Sequence, residues 1–395
     1  MHRWIATVVV VSSLLAGCGP APPQMSGAAV CDSAGIRIVE APGVEDLPVV
    51  QAPSDPRIRV GGDEAGPAFE RIMGGALLPD GGAAVVDVQA ARLHLIAPTG
   101  TVEAVGRRGE GPGEFQLPMA VEVLSEGRLV VWDDGTSRLS TFSADGTFLE
   151  SRRVSNNGPI GHTPRGLLGD SALGWVPTGF GLRPGEADSG WITGSLIVSD
   201  LETLAADTVV HVRFVRLELD GNRPSRNPFT RFGSGDLSDA GFIWATNDRP
   251  EVQWIGRDGA VVQIARSDQQ PIDVTDEVWA RYETTTLERN GIDSKPPPDT
   301  PLGRRLQEAR EAASATLPYF RYIHAAPEGG VWLSEYTMAD ALASRFLVIS
   351  SEGFPLHWME FGTPIRVLDV AGDRVLGVEE DEWGVQSVVV YSITR

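Results

Sequence analysis

Residues 77–87 read LLPDGGAAVVD, and residues 124–133 read LSEGRLVVWD. In each stretch an acidic residue and glycine form a turn, and a run of aliphatic and β-branched residues follows. A turn of this kind before an apolar run is typical of a β-hairpin. Further copies lie at residues 326–335 and 370–379, with weaker ones at residues 169–170 and 238–239. The clear copies are spaced by about 45 residues within each pair, which is the length of a four-stranded propeller blade.

The six turns predict an all-β fold, a six-bladed β-propeller over residues 35–395. A third strand recurs in most copies, for example at residues 92–96 (RLHLI) and 138–142 (RLSTF). The last blade is one strand short, whereas residues 35–40 (GIRIVE) are a strand without a place in the repeat. We expect this N-terminal strand to close the last blade, because pairing satisfies N–H and C=O groups that an open edge exposes.

Residues 273–317 depart from the strand pattern and predict a helical hairpin inserted between the fourth and fifth blades. Asp273 can cap a first helix that runs to Asn290, and Thr300 and Pro301 are typical of the start of a second helix. Apolar residues recur at helical spacing along the second helix. This stripe predicts that the hairpin packs on the flank of the ring, and a mobile lid is the alternative.

Residues 106–118 (GRRGEGPGEFQLP) are the most distinctive part of the repeat, and Asp133 and Arg138 follow them. A degenerate copy precedes them, with Asp87 and Arg92 at the same spacing. This combination resembles the NHL-type six-bladed propeller repeat, and the whole layout resembles uncharacterised propeller lipoproteins of bacteria. The resemblance implies a ring of sheets but no activity. We expect each Asp to form an ion pair with its Arg and so to stabilise the turn between them.

The first residues of the chain indicate export. Arg3 precedes a mostly apolar run at residues 5–16. This run is too short to cross a bilayer and is typical of a signal peptide. It leads into LAGC at residues 15–18, which resembles the lipobox of bacterial lipoproteins.

The lipobox resemblance implies removal of residues 1–17 as a signal peptide and acylation of Cys18, with residues 18–34 as a flexible tether. An ordinary signal peptide with an incidental cysteine is the alternative. The acyl chains would form the contact with a membrane. Gly19 after Cys18 favours the outer membrane of the cell envelope, where the cell has two membranes. If Cys18 carries lipid, Cys31 has no cysteine to pair with, because the chain has two cysteines.

The charge balance excludes some partners. Lys and Arg number 33, Asp and Glu number 53, and the formal net charge is -20. Binding to nucleic acid depends on basic residues that neutralise phosphates, so this class of function is excluded. The same charge argues against electrostatic docking on anionic lipid, and it favours a soluble, monomeric domain.

Three polar residues share one position of the predicted first strands, which line the central channel of a propeller. Counting four residues back from each acidic turn gives Glu122, His324 and Asp369. Converging carboxylates and an imidazole could hold a divalent metal such as calcium or zinc, or carry acid–base chemistry. The alternative is that they are ordinary polar groups of the channel that bind water.

Four arginines are candidate ligand-binding residues. Arg321 and Arg366 begin predicted first strands, and Arg107 and Arg108 lie in a loop that enters a blade. These places share one face of a propeller, so the guanidinium groups could receive an anionic ligand or an acidic partner. Local salt bridges, for example with Glu114, are the alternative.

No catalytic signature accompanies these residues, since the sequence has no G-x-S-x-G elbow, P-loop, H-E-x-x-H motif or cysteine metal cluster. We therefore predict a binding or scaffold module without a cofactor, anchored in the cell envelope. Its partner is either an envelope protein or a small anionic ligand. The alternative is a metal-dependent hydrolase or lyase, similar to propeller lactonases, with its site in the channel.

Overall fold

The computed structural model describes residues 17–20, 27–62, 67–154, 161–169, 171–178, 187–188, 190–216, 219–220, 223–224, 227–326, 328–338 and 341–393. Within these ranges the chain consists of β-strands joined by short turns, together with two α-helices. The prediction of an all-β fold is confirmed. Neither of the two helices in the described ranges is long and apolar enough to span a membrane.

The N-terminal part contributes five short strands: β1 (Gly17–Pro20), β2 (Ala29–Ser33), β3 (Ile36–Ala41), β4 (Val49–Gln51) and β5 (Ile58–Gly61). The first three form consecutive antiparallel pairs. A single 3-10 turn, Val44–Asp46, separates β3 from β4, and the side chain of Val44 is buried. These strands do not form a sheet of their own, because β3, β4 and β5 pair with strands that come much later in the chain.

Two regular four-stranded sheets follow: β6 (Ile72–Leu77), β7 (Ala83–Asp87), β8 (Arg92–Ile96) and β9 (Val102–Val105), then β10 (Pro118–Val123), β11 (Leu129–Asp133), β12 (Arg138–Phe142) and β13 (Phe148–Arg153). In both sheets the strand order follows the chain order, so each is an antiparallel meander. Every residue of β7 and of β11 is buried. Such continuous burial indicates that both faces of each sheet are covered by neighbouring sheets.

The next sheet is larger and less regular: β14 (His162–Leu167), β15 (Ala172–Pro177), β16 (Ala187–Asp188), β17 (Trp191–Asp200) and β18 (Ala206–Arg216). The long β17 pairs with β18 along one side, and with β16 and β15 at its two ends on the other side. A separate small hairpin consists of β19 (Leu219–Asp220) and β20 (Arg223–Pro224).

A fourth meander precedes the helices: β21 (Gly233–Ser238), β22 (Gly241–Thr246), β23 (Glu251–Gly256) and β24 (Val261–Ser267). The helices are α1 (Asp276–Arg289) and α2 (Pro301–Glu311). They lie in the segment that the sequence predicts to be helical. Thr275 rather than Asp273 caps α1, since the Thr275 side chain accepts from the N–H of Val278 and Asp273 forms a β-bridge with Thr316. Thr300 caps α2 as predicted.

The C-terminal part completes the fold: β25 (Phe320–Ala325), β26 (Val331–Glu335), β27 (Ala343–Ile349), β28 (Pro355–Ala371), β29 (Arg374–Glu380) and β30 (Gln386–Ser392). They belong to one continuous sheet, because the 17-residue β28 takes part in two meanders. Its first part pairs with β27 and its last part pairs with β29.

The sheets form a propeller arrangement, and the contacts between their first strands show it. In chain order these strands are β6, β10, β14, β21, β25 and the last part of β28; each contacts the next, and β28 contacts β6 again. Hydrophobic clusters fill the spaces between successive sheets, and one joins the last sheet to the first through Val388 and Val85. Trp132 and Trp175 meet edge to face across another, with ring centroids 5.0 Å apart. Burial of aromatic side chains contributes several kcal/mol each in such interfaces.

The strand that closes the ring is β5, and the prediction that residues 35–40 close it is wrong. β5 pairs antiparallel with β30, whereas β3 pairs in parallel with β24, at the outer edge of the fourth meander. Arg59 of β5 forms a 2.6 Å ion pair with the buried Glu379, whose other oxygen accepts from Tyr391. Both N-terminal strands are short and apolar, so pairing energy alone does not tell from sequence which edge each one covers.

Asp87 and Asp133 do not pair with Arg92 and Arg138, which corrects the prediction of ion pairs. The carboxylate of Asp87 is fully buried and accepts from the N–H groups of Glu70, Arg71, Gln89 and Ala90. Asp133 accepts in the same way from residues 116, 117 and 136. Buried carboxylates with several N–H donors are well stabilised without a cation. The repeated Asp therefore binds the backbone that enters each blade.

The helical hairpin packs on the propeller, as its apolar stripe predicts. Trp279 of α1 and Ala309 of α2 share a hydrophobic cluster with Phe229 and Leu317. Phe229 is fully buried, and its ring lies 5.7 Å from that of Tyr282. A segment that buries this much aromatic surface is fixed to the ring in this structure.

Cys31 is disulfide-bonded, and in the β1–β2 pair Cys18 lies directly opposite it. No cysteine is free in the described ranges. The expectation that Cys31 stands alone was conditional on lipid at Cys18. A disulfide to Cys18 and an acyl thioether on Cys18 exclude one another chemically.

Candidate functional site in the central channel

Ionisable side chains of the first strands meet at the centre of the ring. The charge of Glu122, on β10, interacts with those of Asp236, on β21, and Asp369, on β28. These three strands belong to sheets that are not neighbours, so their side chains can approach one another only across the channel. The full group, called the channel cluster below, consists of Glu122, Arg165, Asp236, His324, Arg366 and Asp369.

Asp236 and Asp369 occupy equivalent places and hold neighbouring first strands together. Asp236 Oδ2 accepts from the N–H of Ala325 at 2.9 Å, and Asp369 Oδ2 accepts from the N–H of Leu77 at 2.7 Å. Burial raises the pKa of Asp236 to about 6, while Arg165 and two backbone N–H groups oppose the rise. Burial also raises the pKa of Asp369, against the effect of the Leu77 N–H. Both carboxylates keep oxygen lone pairs that the backbone does not use.

Of the three carboxyl groups in the channel cluster, Glu122 makes the fewest polar contacts with the described part of the protein. Within the described ranges it has neither a hydrogen bond nor an ion pair, although it is half-buried. Burial raises its pKa to about 8, and the negative charges of Asp369 and Asp236 act in the same direction, whereas Arg165 lowers it. At neutral pH Glu122 is therefore largely protonated and can donate a hydrogen bond.

His324 is a buried imidazole that faces the channel. Its neighbours on β25, Ile323 and Ala325, pack in a hydrophobic cluster, and successive side chains of a strand point to opposite sides. His324 is 9% exposed and has no hydrogen-bond partner in the described part of the chain. Burial lowers its pKa to about 3, and the positive charges of Arg165 and Arg366 lower it further. The ring is neutral at pH 7 and has a nitrogen free to accept a hydrogen bond.

Two arginines accompany these groups, and a third lies close. Arg165 is exposed, and no ion pair or hydrogen bond to its side chain occurs in the described ranges. Arg366 donates to the carbonyl oxygen of Ile72 at 2.6 Å. Burial lowers the pKa of Arg366, and the like charges of Arg165 and Arg71 contribute to this shift, while Glu380 raises it. Arg366 stays charged at physiological pH. Arg71 and Arg366 lie near the beginning of their first strands, whereas Arg165 is the fourth of the six residues of β14.

The other three predicted arginines make local contacts. Arg107 forms a 2.7 Å ion pair with Glu114, the alternative that the sequence left open. Arg108 donates to the carbonyl oxygens of Gln89 and Gln116. Arg321 donates to the carbonyl oxygen of residue 337, and its guanidinium lies 5.3 Å from the centre of the Tyr322 ring. Of the four, Arg366 is the one that the described structure brings into the channel cluster.

A metal centre formed by Glu122, His324 and Asp369 stays a prediction. In the described ranges, no group of three His, Cys, Asp or Glu side chains is close enough to hold a metal ion. Asp369 and Asp236 each use an oxygen to bind backbone N–H groups. The arrangement is suited to hydrogen bonding and to charge recognition.

Asp236 and Arg165 were missed by sequence reasoning, for two different reasons. The prediction took the residue four places before the acidic residue of each turn. Asp239 is the first residue of its turn, whereas Asp373 is the second residue of its turn. The same count therefore gives Asp369 on β28 but Gly235, one residue before Asp236, on β21. Counted from the end of the strand, Asp236 and Asp369 coincide. Arg165 lies at a β-bulge in β14, and a bulge changes the direction of a side chain without a sequence signal.

No protein-family model matches this sequence. No curated protein matches it either. Among solved structures, a member of the DUF4221 family from Bacteroides vulgatus matches with a TM-score of 0.53 and 9% identity, over 86% of this chain and 96% of that one. A gluconolactonase from Xanthomonas campestris matches with a TM-score of 0.45 and 13% identity, over 82% and 87%. A virginiamycin B lyase from Staphylococcus aureus matches with a TM-score of 0.40 and 10% identity, over 82% and 95%.

The arrangement of sheets, shared with the DUF4221 structure, makes this chain a β-propeller protein. Identities this low show the fold alone. The activities named for the matched enzymes are therefore not assigned to this chain. Its channel cluster brings carboxyl groups, a neutral imidazole and arginines within electrostatic range of one another.

Proposed function

We propose that the protein is a non-catalytic binding module that takes a small anionic ligand in the channel beside Arg165. The observation that carries the proposal is Arg165 itself, an exposed guanidinium with no partner in the described ranges. Like charges on Arg366 and Arg71 lie nearby. Unpaired cations held close together repel, and an anion that binds between them removes that repulsion.

Guanidinium chemistry favours carboxylate or phosphate as the anionic group. The planar fork of Arg165 can donate two parallel hydrogen bonds to such an oxyanion. The protonated carboxyl of Glu122 offers one more donor at neutral pH.

The test is calorimetric titration of the wild type and of Arg165→Met with acetate, succinate, sulfate and inorganic phosphate. Arg128→Met is the matched control, because Arg128 is exposed in the turn that joins β10 to β11. We expect at least one anion to bind the wild type and the control equally. Loss of a charge-assisted bidentate contact should weaken binding to Arg165→Met by roughly 10-fold or more. No binding of any anion, or equal binding to both variants, would contradict the proposal.

We also propose that the ring has six blades of NHL-like type. Two observations support this count: six first strands contact one another in a closed series, and β28 divides into the outer strand of one blade and the first strand of the next. The glycine-rich entries support the blade type. Gly106 and Gly61 have φ of 76° and 82°, and a Cβ at either would come within 3 Å of the ring of Phe115 or Phe69.

We further propose that the protein is a monomeric lipoprotein of the cell envelope, anchored through Cys18. We also propose that an envelope protein partner binds the face of the ring on which Arg165 lies. The support is the LAGC sequence after a short apolar run. Acylation of Cys18 and a disulfide between Cys18 and Cys31 exclude one another, so fatty-acid labelling and thiol chemistry together test the anchor. Metabolic labelling with an alkyne fatty acid should label the wild type and not Cys18→Ser, and Cys31 of the labelled protein should react with maleimide without reduction. An unlabelled protein whose Cys31 reacts after reduction alone would exclude the anchor.

A further inference from the structure

The helical hairpin contains a groove between its two helices. The groove has a volume of about 470 Å³ and is lined by one side of each helix: Tyr282 and Thr286 on α1, and Leu302, Arg305, Leu306 and Ala309 on α2. Residues three or four apart lie on the same side of a helix, which is why these residues meet. A volume of this size is typical of a small-molecule site.

The groove has a largely apolar wall, because the helices join the hydrophobic cluster at one end only. Trp279 and Ala309 belong to the cluster that fixes the hairpin to the ring, and Tyr282 packs against it. Leu302 and Leu306 lie closer to the start of α2 and are not part of this cluster. They line the groove instead, where an apolar ligand can cover them.

Arg305 is the charged residue among those that line the groove. Its side chain is exposed and forms no ion pair or hydrogen bond with the described part of the chain. By contrast, Lys295 donates to both carboxylate oxygens of Glu283, and Arg310 pairs with Asp276. The guanidinium donors of Arg305 therefore stay available to an oxyanion beside an apolar wall.

We propose that the groove binds a medium-chain aliphatic monocarboxylate, such as a free fatty acid. Its carboxylate accepts from the guanidinium of Arg305, and its chain lies against Leu302, Leu306 and the ring of Tyr282. A dianion such as succinate would bring its second charge against the apolar wall, and a neutral chain would leave the guanidinium without an anion. This inference is independent of the proposed function, because the groove shares no residue with the channel cluster.

The test is calorimetric titration of the wild type with octanoate, butyrate and 1-octanol. Each CH₂ group that the wall buries strengthens binding by at most roughly 4-fold, so octanoate should bind on the order of 10-fold or more tightly than butyrate. 1-Octanol should bind more weakly than octanoate, because it lacks the charge that pairs with Arg305. No binding of octanoate, or equal binding of octanoate and butyrate, would overturn the proposal.

Two variants locate the site. Arg305→Met should weaken octanoate binding by roughly 10-fold or more and leave 1-octanol binding unchanged, since it removes a charge-assisted hydrogen bond and keeps the apolar wall. Leu302→Trp should weaken binding of both probes, because the larger side chain fills the groove. Arg281→Met is the matched control, since Arg281 is exposed on α1 and does not line the groove. Equal octanoate binding to Arg305→Met and Arg281→Met would contradict the proposal.

Further controls separate this site from a folding defect and from the channel. Urea unfolding shows whether Leu302→Trp is folded, and the comparison of Arg305→Met with Arg281→Met decides the question without it. Arg165→Met should bind octanoate as the wild type does. Loss of octanoate binding in Arg165→Met but not in Arg305→Met would assign octanoate to the channel, so the groove would be refuted while the proposed function stands. Octanoate binding without binding of acetate, succinate, sulfate or phosphate would support the groove and refute the proposed function.

Discussion

Replacing Glu122 by Gln should stabilise the protein at alkaline pH and leave it unchanged in acid. The pKa of Glu122 is raised from 4.5 to about 8. As pH increases through this interval the unfolded chain releases the proton and the folded chain retains it, so the wild type loses stability and the loss is complete near pH 8. A shift of this size corresponds to a ceiling of about 5 kcal/mol. Because Glu122 is half-buried in a channel that water can enter, we expect about 1–3 kcal/mol.

The assay is urea unfolding of wild type and Glu122→Gln across the range from about pH 4 to about pH 9, with Glu150→Gln as a control at an exposed site. The two unfolding free energies should coincide near pH 4 and diverge steadily up to about pH 8, with the variant more stable. The control should follow the wild type throughout. Parallel curves for wild type and Glu122→Gln, or a divergence that grows toward acid, would refute the assignment of a protonated carboxyl in the channel.

Other outcomes follow from the described contacts. On acidification from about pH 6.5 to about pH 3, His324→Gln should lose about 1–4 kcal/mol less unfolding free energy than the wild type, as measured by urea unfolding. The pKa of His324 is lowered in the folded protein, so the unfolded wild-type chain binds a proton over this interval and the folded one does not. Arg59→Met, which strips the buried Glu379 of its cation, should cost about 1–3 kcal/mol by the same assay, against less than about 1 for Lys295→Met at an exposed pair. Asp87→Ala leaves four N–H groups without their acceptor and should cost about 2–4 kcal/mol, whereas Asp87→Asn should cost less. Calcium or zinc should shift the melting temperature of wild type and His324→Ala equally, and a shift confined to the wild type would revive the metal site.

The repeat could be recognised from sequence because its turns are chemically alike. Acidic residues and glycines recur at nearly constant spacing, and apolar runs between them bury both faces of strands such as β7. The closing strand could not be recognised in the same way. β3 and β5 have similar composition, and their partners β24 and β30 are distant in sequence. Which edge each covers depends on how the chain passes around the ring, a property that no local pattern carries.

Members of the channel cluster could be predicted from the sequence wherever the register of the first strand relative to its turn could be predicted. Glu122, His324 and Asp369 were found because a strand places every second side chain on the same side, so a constant offset from the turn is enough. Asp236 was not predicted because the acidic residue of its turn is displaced by one position. Arg165 was not predicted because it lies at a β-bulge. Whether these groups are charged was beyond the sequence altogether, since the pKa values of Glu122 and His324 depend on burial and on neighbours from other sheets.

The path of the N-terminal segment determines how the molecule responds to a mechanical load. Before β5 completes the ring, β3 pairs with β24 and β4 pairs with β28, so the segment is bound to two sheets whose strands come later in the chain. A pull on the residues that precede Ala29 is taken up first at β2, which pairs with β3, then at β3, where five parallel pairs with β24 resist it, and next at β4. The protein can therefore be held by its N terminus while the joint between β5 and β30 stays free of tension.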